Sequence, residues 1–505
     1  MQALQLVDAL FEKALCPTTA RSGDDWGVGD RIKELLQTQS QVPLLTPQSV
    51  DQVPTDGVCR YVGLVQDTLG PECYVGAYQQ VDGKWRTTKY RDAAVDEGFH
   101  TRPHSLWDRK PVYCVRPTGQ MSWLDAPDTA VLAEGVSRSN ASGLQKRPRS
   151  EDMEGIETLV SSSNSEPSST DANGTGSKHP RQQHAAPGAQ PAAPATCPEA
   201  QEGDCLVYIY DVDDAYKVND VIEVVGVLSR VPELAVHLED DDSAMADIQG
   251  PSLPPTSKVP RLHALLVRKV SSADRAGPLL IKSDSELQCR ALELRPQALK
   301  LLSHALGGDQ LSAEYLLLQL LSRVHTREGD QALGALSVNL VQSSAGPAAA
   351  AGAGESDAGE GLSQVGQALQ AALACLLPYS CTMAVGPDQL NSAKLVPKQS
   401  HTTKRLERGG LQMAEGTHLL LDESHMKPGR LNPNGINNLQ ALKHLLEAKV
   451  VDYDFEFYKL GMPADVVILI LSRGKALLQH SVDVTLPLHA TEAFGERSRL
   501  RGCWR

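Results

Sequence analysis

The spacing of apolar and polar positions changes several times along the chain, and each change predicts a different kind of element. Met1–Leu15 and Asp30–Leu36 place apolar residues at helical spacing around a Gly/Asp turn, and Pro43 and Pro47 end that pattern. From Val58 the period becomes two. Cys59–Asp67 and Cys73–Val81, joined by Leu69-Gly70-Pro71, read as strands, as do Lys84–Arg91 and Pro111–Arg116. Alternation resumes in Cys205–Tyr210 and in Lys217–Ser229, around a Val218-Asn219-Asp220 turn. Five or so short strands interrupted by a long insertion predict a small Greek-key barrel of the OB type.

Beyond residue 259 the pattern alternates between strand and helix. Arg261–Val267 is strand-like, and Arg295–Leu306 has helical spacing that stops at Gly307-Gly308. Ser312–Val324 is apolar on most sides, which predicts a central packing helix. Strands are then expected at Leu336–Leu340, Ser380–Val385, Thr417–Leu421 and Val466–Leu471, with a helix at Val365–Leu377. Such alternation argues for a largely parallel sheet.

Composition sets the boundaries between these regions. Residues 131–204 are dominated by Ser, Pro, Gly, Ala and Gln, too poor in apolar side chains to offset the entropy of ordering, so disorder is expected there. Residues 237–258 read as an acidic, Pro-rich linker and 343–361 as a low-complexity insertion. The expected organisation is an N-terminal helical segment (1–50), barrel parts at 55–130 and 205–236, an α/β domain at 259–488 and a C-terminal tail at 489–505. The fold class is therefore α+β and multidomain.

Lys+Arg number 48 against Asp+Glu 62, a net charge of −14 that disfavours a broad grip on nucleic-acid phosphates and makes a protein partner the better expectation. Only 4% of residues are aromatic, and the candidate base-stacking side chains, Tyr61, Tyr74, Tyr78 and Trp85, are equally well explained as barrel core and rim. Ten cysteines without a C-x-x-C pair suit reduced thiols better than disulfides or a zinc site. No signal peptide and no apolar run of about 20 residues appears, so a soluble intracellular protein without membrane association is expected. Lys146, Arg147 and Arg149 form a short basic cluster, a candidate nuclear-import signal whose bland alternative is a solvated charge run.

The one stretch with the form of a catalytic element is Thr417–Ser424, an apolar strand that delivers Asp422 and Glu423 to its end, as the Mg²⁺-holding strand of a P-loop ATPase does. That chemistry also needs G-x-x-x-x-G-K-[ST], which occurs nowhere; the Gly-Lys pairs are followed by Trp85 and Ala476. Ser472-Arg473 stands where a polar sensor residue would follow the later strand. His401 and His418 are isolated, His100 and His104 flank Pro103, and Asp211–Asp214 lacks the glycine of a calcium loop. Catalytic residues, cofactor and metal are accordingly all expected to be absent.

Several longer phrases carry a resemblance: Tyr61–Asp67, Tyr74–Tyr78, Lys89–Asp92, Lys217–Leu228, Val259–His263, Gly308–Leu318, Arg405-Leu406, Gly410–Gln412, Leu419–Glu423 and Val450–Phe455. In this order, over about residues 55–485, the chain resembles the minichromosome maintenance (MCM) complex-binding protein family. The resemblance implies an OB-like domain followed by a degenerate AAA+-like domain. It implies a non-enzymatic, nuclear regulator of DNA replication that binds MCM helicase subunits, reaches chromatin indirectly, and controls assembly, storage or unloading of the MCM complex. Roles in S phase progression and sister-chromatid cohesion follow from the same likeness. Residues 489–505 depart from the family, whose members continue into a helical region. Two alternatives are also compatible with the sequence: an OB-fold single-strand binder, and a cryptic AAA+ ATPase that borrows a partner's phosphate loop.

Overall fold

The computed structural model describes residues 3–14, 23–38, 42–92, 98, 101–125, 203–211, 216–230, 253–256, 258–272, 284–329, 331–342, 361–492 and 494. The basic cluster at 146–149, the body of the 131–204 segment, the acidic stretch from 237 to 250, nearly all of the 343–361 insertion and the end of the tail lie outside these residues. The described residues form a mixed α+β structure with several sheets and seven α-helices.

Two amphipathic helices, α1 (Ala3–Ala14) and α2 (Val28–Thr38), open the chain, and α1 buries Ala3, Val7 and Phe11. The first sheet contains β1 (Val58–Thr68), β2 (Glu72–Gln79), β3 (Trp85–Thr87), β4 (His104–Val115), β5 (Cys205–Ile209), β6 (Val221–Ser229) and β7 (Arg261–Lys269). Five of them close a circuit: β1 pairs with β4 and β6, β4 with β5, β5 with β7, and β7 with β6, all antiparallel except β5 with β7. Closure leaves β2 and β3 as an extension on β4. Alternation explains the burial. Cys59, Tyr61, Val65, Val112, Cys114, Val207, Ile222, Val224 and Leu228 share one core, while Val62, Leu64, Tyr113, Leu206, Tyr208, Val225 and Val227 face a second core shared with α1 and α2. Both faces of β6 are therefore covered, and all nine of its residues are buried.

Two expectations are corrected here. The strand expected at Arg261–Val267 in the second region is β7, a stave of the barrel, because it hydrogen-bonds to both β5 and β6. The strand expected at Lys84–Arg91 shrinks to β3, and the chain turns at Tyr90, whose φ is 67°.

The second sheet is five-stranded and wholly parallel. Its members in chain order are β10 (Val338–Gln342), β11 (Ser380–Ala384), β14 (Thr417–Asp422), β17 (Val466–Ser472) and β18 (Val484–Leu488), and they lie side by side as β11-β14-β17-β10-β18. The chain leaves β10 for the far edge at β11, whereas β18 returns to the other side of β10. On one face lie α3 (Asp284–Ala305), α4 (Gln310–Leu321) and α5 (Gln364–Leu376), which pack Leu302, Ala313, Leu316 and Leu369 against Leu420, Leu469 and Leu471. On the other lies α7 (Pro433–Ala448), whose Leu442 and Leu445 meet Leu419, Leu421, Val466, Ile468 and Ile470. Strands buried on both faces read as unbroken apolar runs, which is why β14 and β17 are plain in the sequence.

Helix α4 is not the central helix that its all-round apolar sequence predicts. Ser312, Ala313, Leu316 and Gln319 face inward, while Leu311, Leu318 and Leu321 are exposed. Helix α3 begins eleven residues before the expected Arg295 and runs through Pro296. Its residues 285–297 are exposed, so water can satisfy the carbonyl that loses its partner at Pro296.

A smaller sheet of β12 (Lys398–Gln399), β13 (Leu406–Glu407), β15 (Val450–Asp454) and β16 (Lys459–Pro463) stands beside α7. The remaining elements are α6 (Pro387–Ser392) and a short β8–β9 hairpin (Thr326–Glu328, Gln331–Leu333). The barrel and the parallel-sheet region are joined by buried polar contacts as well as apolar ones. Gln66 donates to the Leu406 carbonyl at 2.8 Å, Gln412 donates to the Gln66 carbonyl at 3.0 Å, and the Leu406 N–H donates to Asp67 at 2.9 Å.

Candidate functional site

In an open parallel sheet the place to look for a site is outside the carboxyl ends of the strands, where the strand order reverses. Here that point is the end of β10, which lies between β17 and β18, with the end of β14 one strand further along. Asp422, Glu423, Ser424, Ser472, Asn339 and Gln342 come together there, and Ser363 reaches in from the start of α5.

Asp422 ends β14 and is buried. Its Oδ2 accepts from both the backbone N–H of Ser363 at 2.7 Å and the Ser363 hydroxyl at 2.8 Å, and its Oδ1 accepts from the Ser424 N–H at 3.0 Å. Ser363 in turn caps α5, accepting from the Gly366 N–H at 3.0 Å. The carboxylate thus sits at the positive end of a helix, held by donors that its charge strengthens. The fit is close: a Cβ on Gly366 would come within 2.3 Å of Asp422 Oδ2.

Glu423 points elsewhere. Its Oε2 accepts from the Leu477 N–H at 2.9 Å, and its Oε1 is buried without a hydrogen-bond partner. Burial pushes its carboxyl up to about 7; the Leu477 N–H pulls it back down and the Asp422 charge adds a smaller push upward. Behind the pair, Gln342 donates to Ser424 Oγ at 2.9 Å and the Ser472 hydroxyl donates to Asn339 Oδ1 at 2.9 Å.

These contacts decide what the arrangement can do. Oδ2 of Asp422 accepts two hydrogen bonds and Oδ1 one, so most of the carboxylate's acceptor capacity is taken up by the protein. No group of three or more His, Cys, Asp or Glu that could hold a metal ion occurs among the described residues. The geometry of Asp422 is that of a strut between strand and helix. Asn339, Gln342, Ser363 and Ser424 were not singled out from the sequence. Of these only Ser363 carried a local signal, a serine directly before a helical apolar run.

The other candidates separate. Ser472 joins the cluster at the end of β17, while Arg473 is exposed. Tyr61 and Tyr78 are buried and Tyr74 and Trp85 half-buried; Tyr61 donates to the Gly203 carbonyl at 3.0 Å and Tyr74 packs edge-on against Trp107 and Tyr210, so these rings serve the core. His418 is buried in β14 with neither ring nitrogen hydrogen-bonded, and burial holds it down to about 4. His401 is exposed, with its Nε2 against a carboxylate oxygen of Glu456. Lys146, Arg147 and Arg149 lie outside the described residues. No described helix is long and apolar enough to cross a membrane.

Comparison with known proteins places this architecture. A family model described as "Mini-chromosome maintenance replisome factor" matches residues 32–498. Among similar proteins, the "Mini-chromosome maintenance complex-binding protein" of Arabidopsis thaliana is 34% identical, covering 93% of this chain and 78% of its own length. Proteins of the same name from Salmo salar and Homo sapiens are 30% and 26% identical, over 91% and 92% of this chain and 76% and 77% of their own lengths. On the strength of that match over most of its length, the chain belongs to the mini-chromosome maintenance replisome factor family.

Proposed function

We propose that this chain is a non-enzymatic regulator of DNA replication that binds subunits of the MCM complex and controls their assembly, storage or unloading from chromatin. The binding reading is carried by one observation: relatives named as MCM complex-binding proteins align with more than nine-tenths of this chain. The fold reading that goes with it is an OB-type barrel followed by a degenerate AAA+-like domain. A closed five-strand circuit supports the first, and a parallel sheet with an acidic residue at the end of β14 supports the second.

The absence of turnover is argued from the site. Asp422 is bound by Ser363 and Ser424, and the sequence has no Gly-Lys-Ser/Thr phosphate loop, so an ATPase outline is retained without the groups that grip phosphates. Such a body can stand beside true ATPase subunits and contribute shape alone. Nuclear residence through Lys146, Arg147 and Arg149, indirect contact with chromatin, and roles in S phase progression and sister-chromatid cohesion belong to the same proposal. Direct grip on nucleic acid is disfavoured by the charge of −14 and by the burial of Tyr61 and Tyr78 among the candidate stacking rings. Co-purification from nuclear extract, with mass spectrometry of what is retained, tests the proposal. Retention of MCM subunits is the expected result, and their absence would refute it.

A further inference from the structure

We infer that the cleft between α7 and the β12–β15–β16 face is a docking site for an extended peptide segment carrying both acidic and basic side chains. The inference rests on the binding function proposed above and names where one part of a protein partner lies. The cleft has a volume of about 500 Å³, within the range of ligand sites. It follows α7 from Asn434 to His444, a distance of about 15 Å at 1.5 Å per residue, which matches roughly four to five residues of extended chain.

Its chemistry suits a peptide better than a small apolar molecule or a polyanion. Asn437 and Gln440 line the helix wall on one face, and their amides make no hydrogen bond to other described residues. A primary amide offers two donors and an acceptor, the complement of a peptide unit. Asn434 and Asn438 are, by contrast, already committed to the Ala393 carbonyl, at 3.0 and 2.9 Å, and they fix the floor.

The opposite wall carries both signs of charge. Lys398 lies 3.8 Å from Asp454 and Lys394 lies 4.0 Å from Glu407, long and solvent-exposed pairs that a ligand can displace at little cost. Lys459 makes no ion pair among the described residues, and Asp452 holds His444 Nδ1 at 2.9 Å. Four cations (Lys394, Lys398, Arg408, Lys459) face three carboxylates (Glu407, Asp452, Asp454), so no single-sign field exists to select phosphates. In the β15–β16 turn, between the lining residues Asp454 and Lys459, Phe457 is 89% exposed, Glu456 before it is in the left-handed region at φ 67°, and Phe455 stacks on Tyr458 at 5.3 Å. Phe457 supplies an apolar anchor next to the polar cleft.

The test uses the full chain and short overlapping synthetic peptides tiled along the MCM subunits, with oligo(dT) as a separate probe. A subset of peptides should bind, more weakly at high salt. Asn437→Ala with Gln440→Ala should weaken that binding about tenfold to thirtyfold, the loss of two hydrogen bonds, with the unfolding temperature unchanged. Lys459→Glu should shift preference toward peptides of opposite charge pattern. Intact MCM co-purification with no peptide binding, or with peptide binding unaffected by the Asn437/Gln440 pair, would overturn the cleft assignment and leave the proposed function standing. Oligo(dT) binding lost in the same double variant would overturn it in favour of a nucleic-acid site. Loss of MCM co-purification by the unmutated chain would instead refute the function itself.

Discussion

Ser363 gives both its backbone N–H and its hydroxyl to one oxygen of Asp422, a residue 59 positions later in the chain. The pair ties the N-terminus of α5 to the end of β14, at the carboxyl ends of the parallel strands. The two groups hold each other, and that makes the pair structural. Asp422→Asn should cost about 2–3 kcal/mol, because it removes charge from buried hydrogen bonds, and Ser363→Ala about 1–2 kcal/mol through loss of the cap. The double variant should be less damaging than the sum. Chemical denaturation of the four proteins measures this directly.

Gly366→Ala probes the same strut by volume. The added methyl meets Asp422 Oδ2 at 2.3 Å, so either the carboxylate or the helix must move. The variant should lose about 1–3 kcal/mol by overpacking, although alanine normally favours a helix over glycine. Combining it with Asp422→Ala should restore most of that loss.

Glu423 predicts a pH dependence with a defined sign. Its folded carboxyl is raised from 4.5 to about 7, so the folded state holds the proton more tightly than the unfolded chain. The favourable state is fully present below about pH 4.5 and is lost as pH rises through about 7. Glu423→Gln should therefore be more stable than the unmutated protein at pH 8, by up to about 3 kcal/mol, and nearly equal to it at pH 4.5. Thermal unfolding across that window provides the comparison.

His418 gives the opposite slope. Burial lowers its folded value from 6.5 to about 4, so the unfolded chain takes up the proton first and stability falls as pH drops from about 6.5 toward 4. His418→Leu should flatten this acid limb. If unfolding below pH 6 is unchanged in the variant, the imidazole is not the group responsible.

Much of the architecture was legible because covered strands leave unbroken or alternating apolar runs. Leu419–Leu421, Val466–Leu471 and the barrel strands all fall into that class. Other elements were hidden for identifiable reasons. Helix α7 starts with Pro433-Asn434-Gly435, residues that read as a turn, although Asn432 caps it by accepting from the Gly435 N–H at 2.7 Å and Pro433 stands at a helix start. Pro296 masked the first half of α3. The place of β7 in the barrel is not legible locally, because its pairing with β5 is parallel and between strands far apart in sequence, and local pattern carries no trace of such a partner. The candidate site was half legible for the same reason. Asp422 announces itself at the end of an apolar strand, but the serine that occupies it comes from another element.

The proposed function is non-catalytic binding of the MCM complex. The most direct measurement isolates the purified chain with its bound proteins and compares it with the Asp422→Asn, Glu423→Gln double variant, scoring MCM subunits by mass spectrometry and ATP turnover in the same eluate. MCM subunits should be retained by the unmutated chain, and any turnover should be the same in both samples. An eluate without MCM subunits, or one whose turnover disappears with the two carboxylates, would contradict the proposed function.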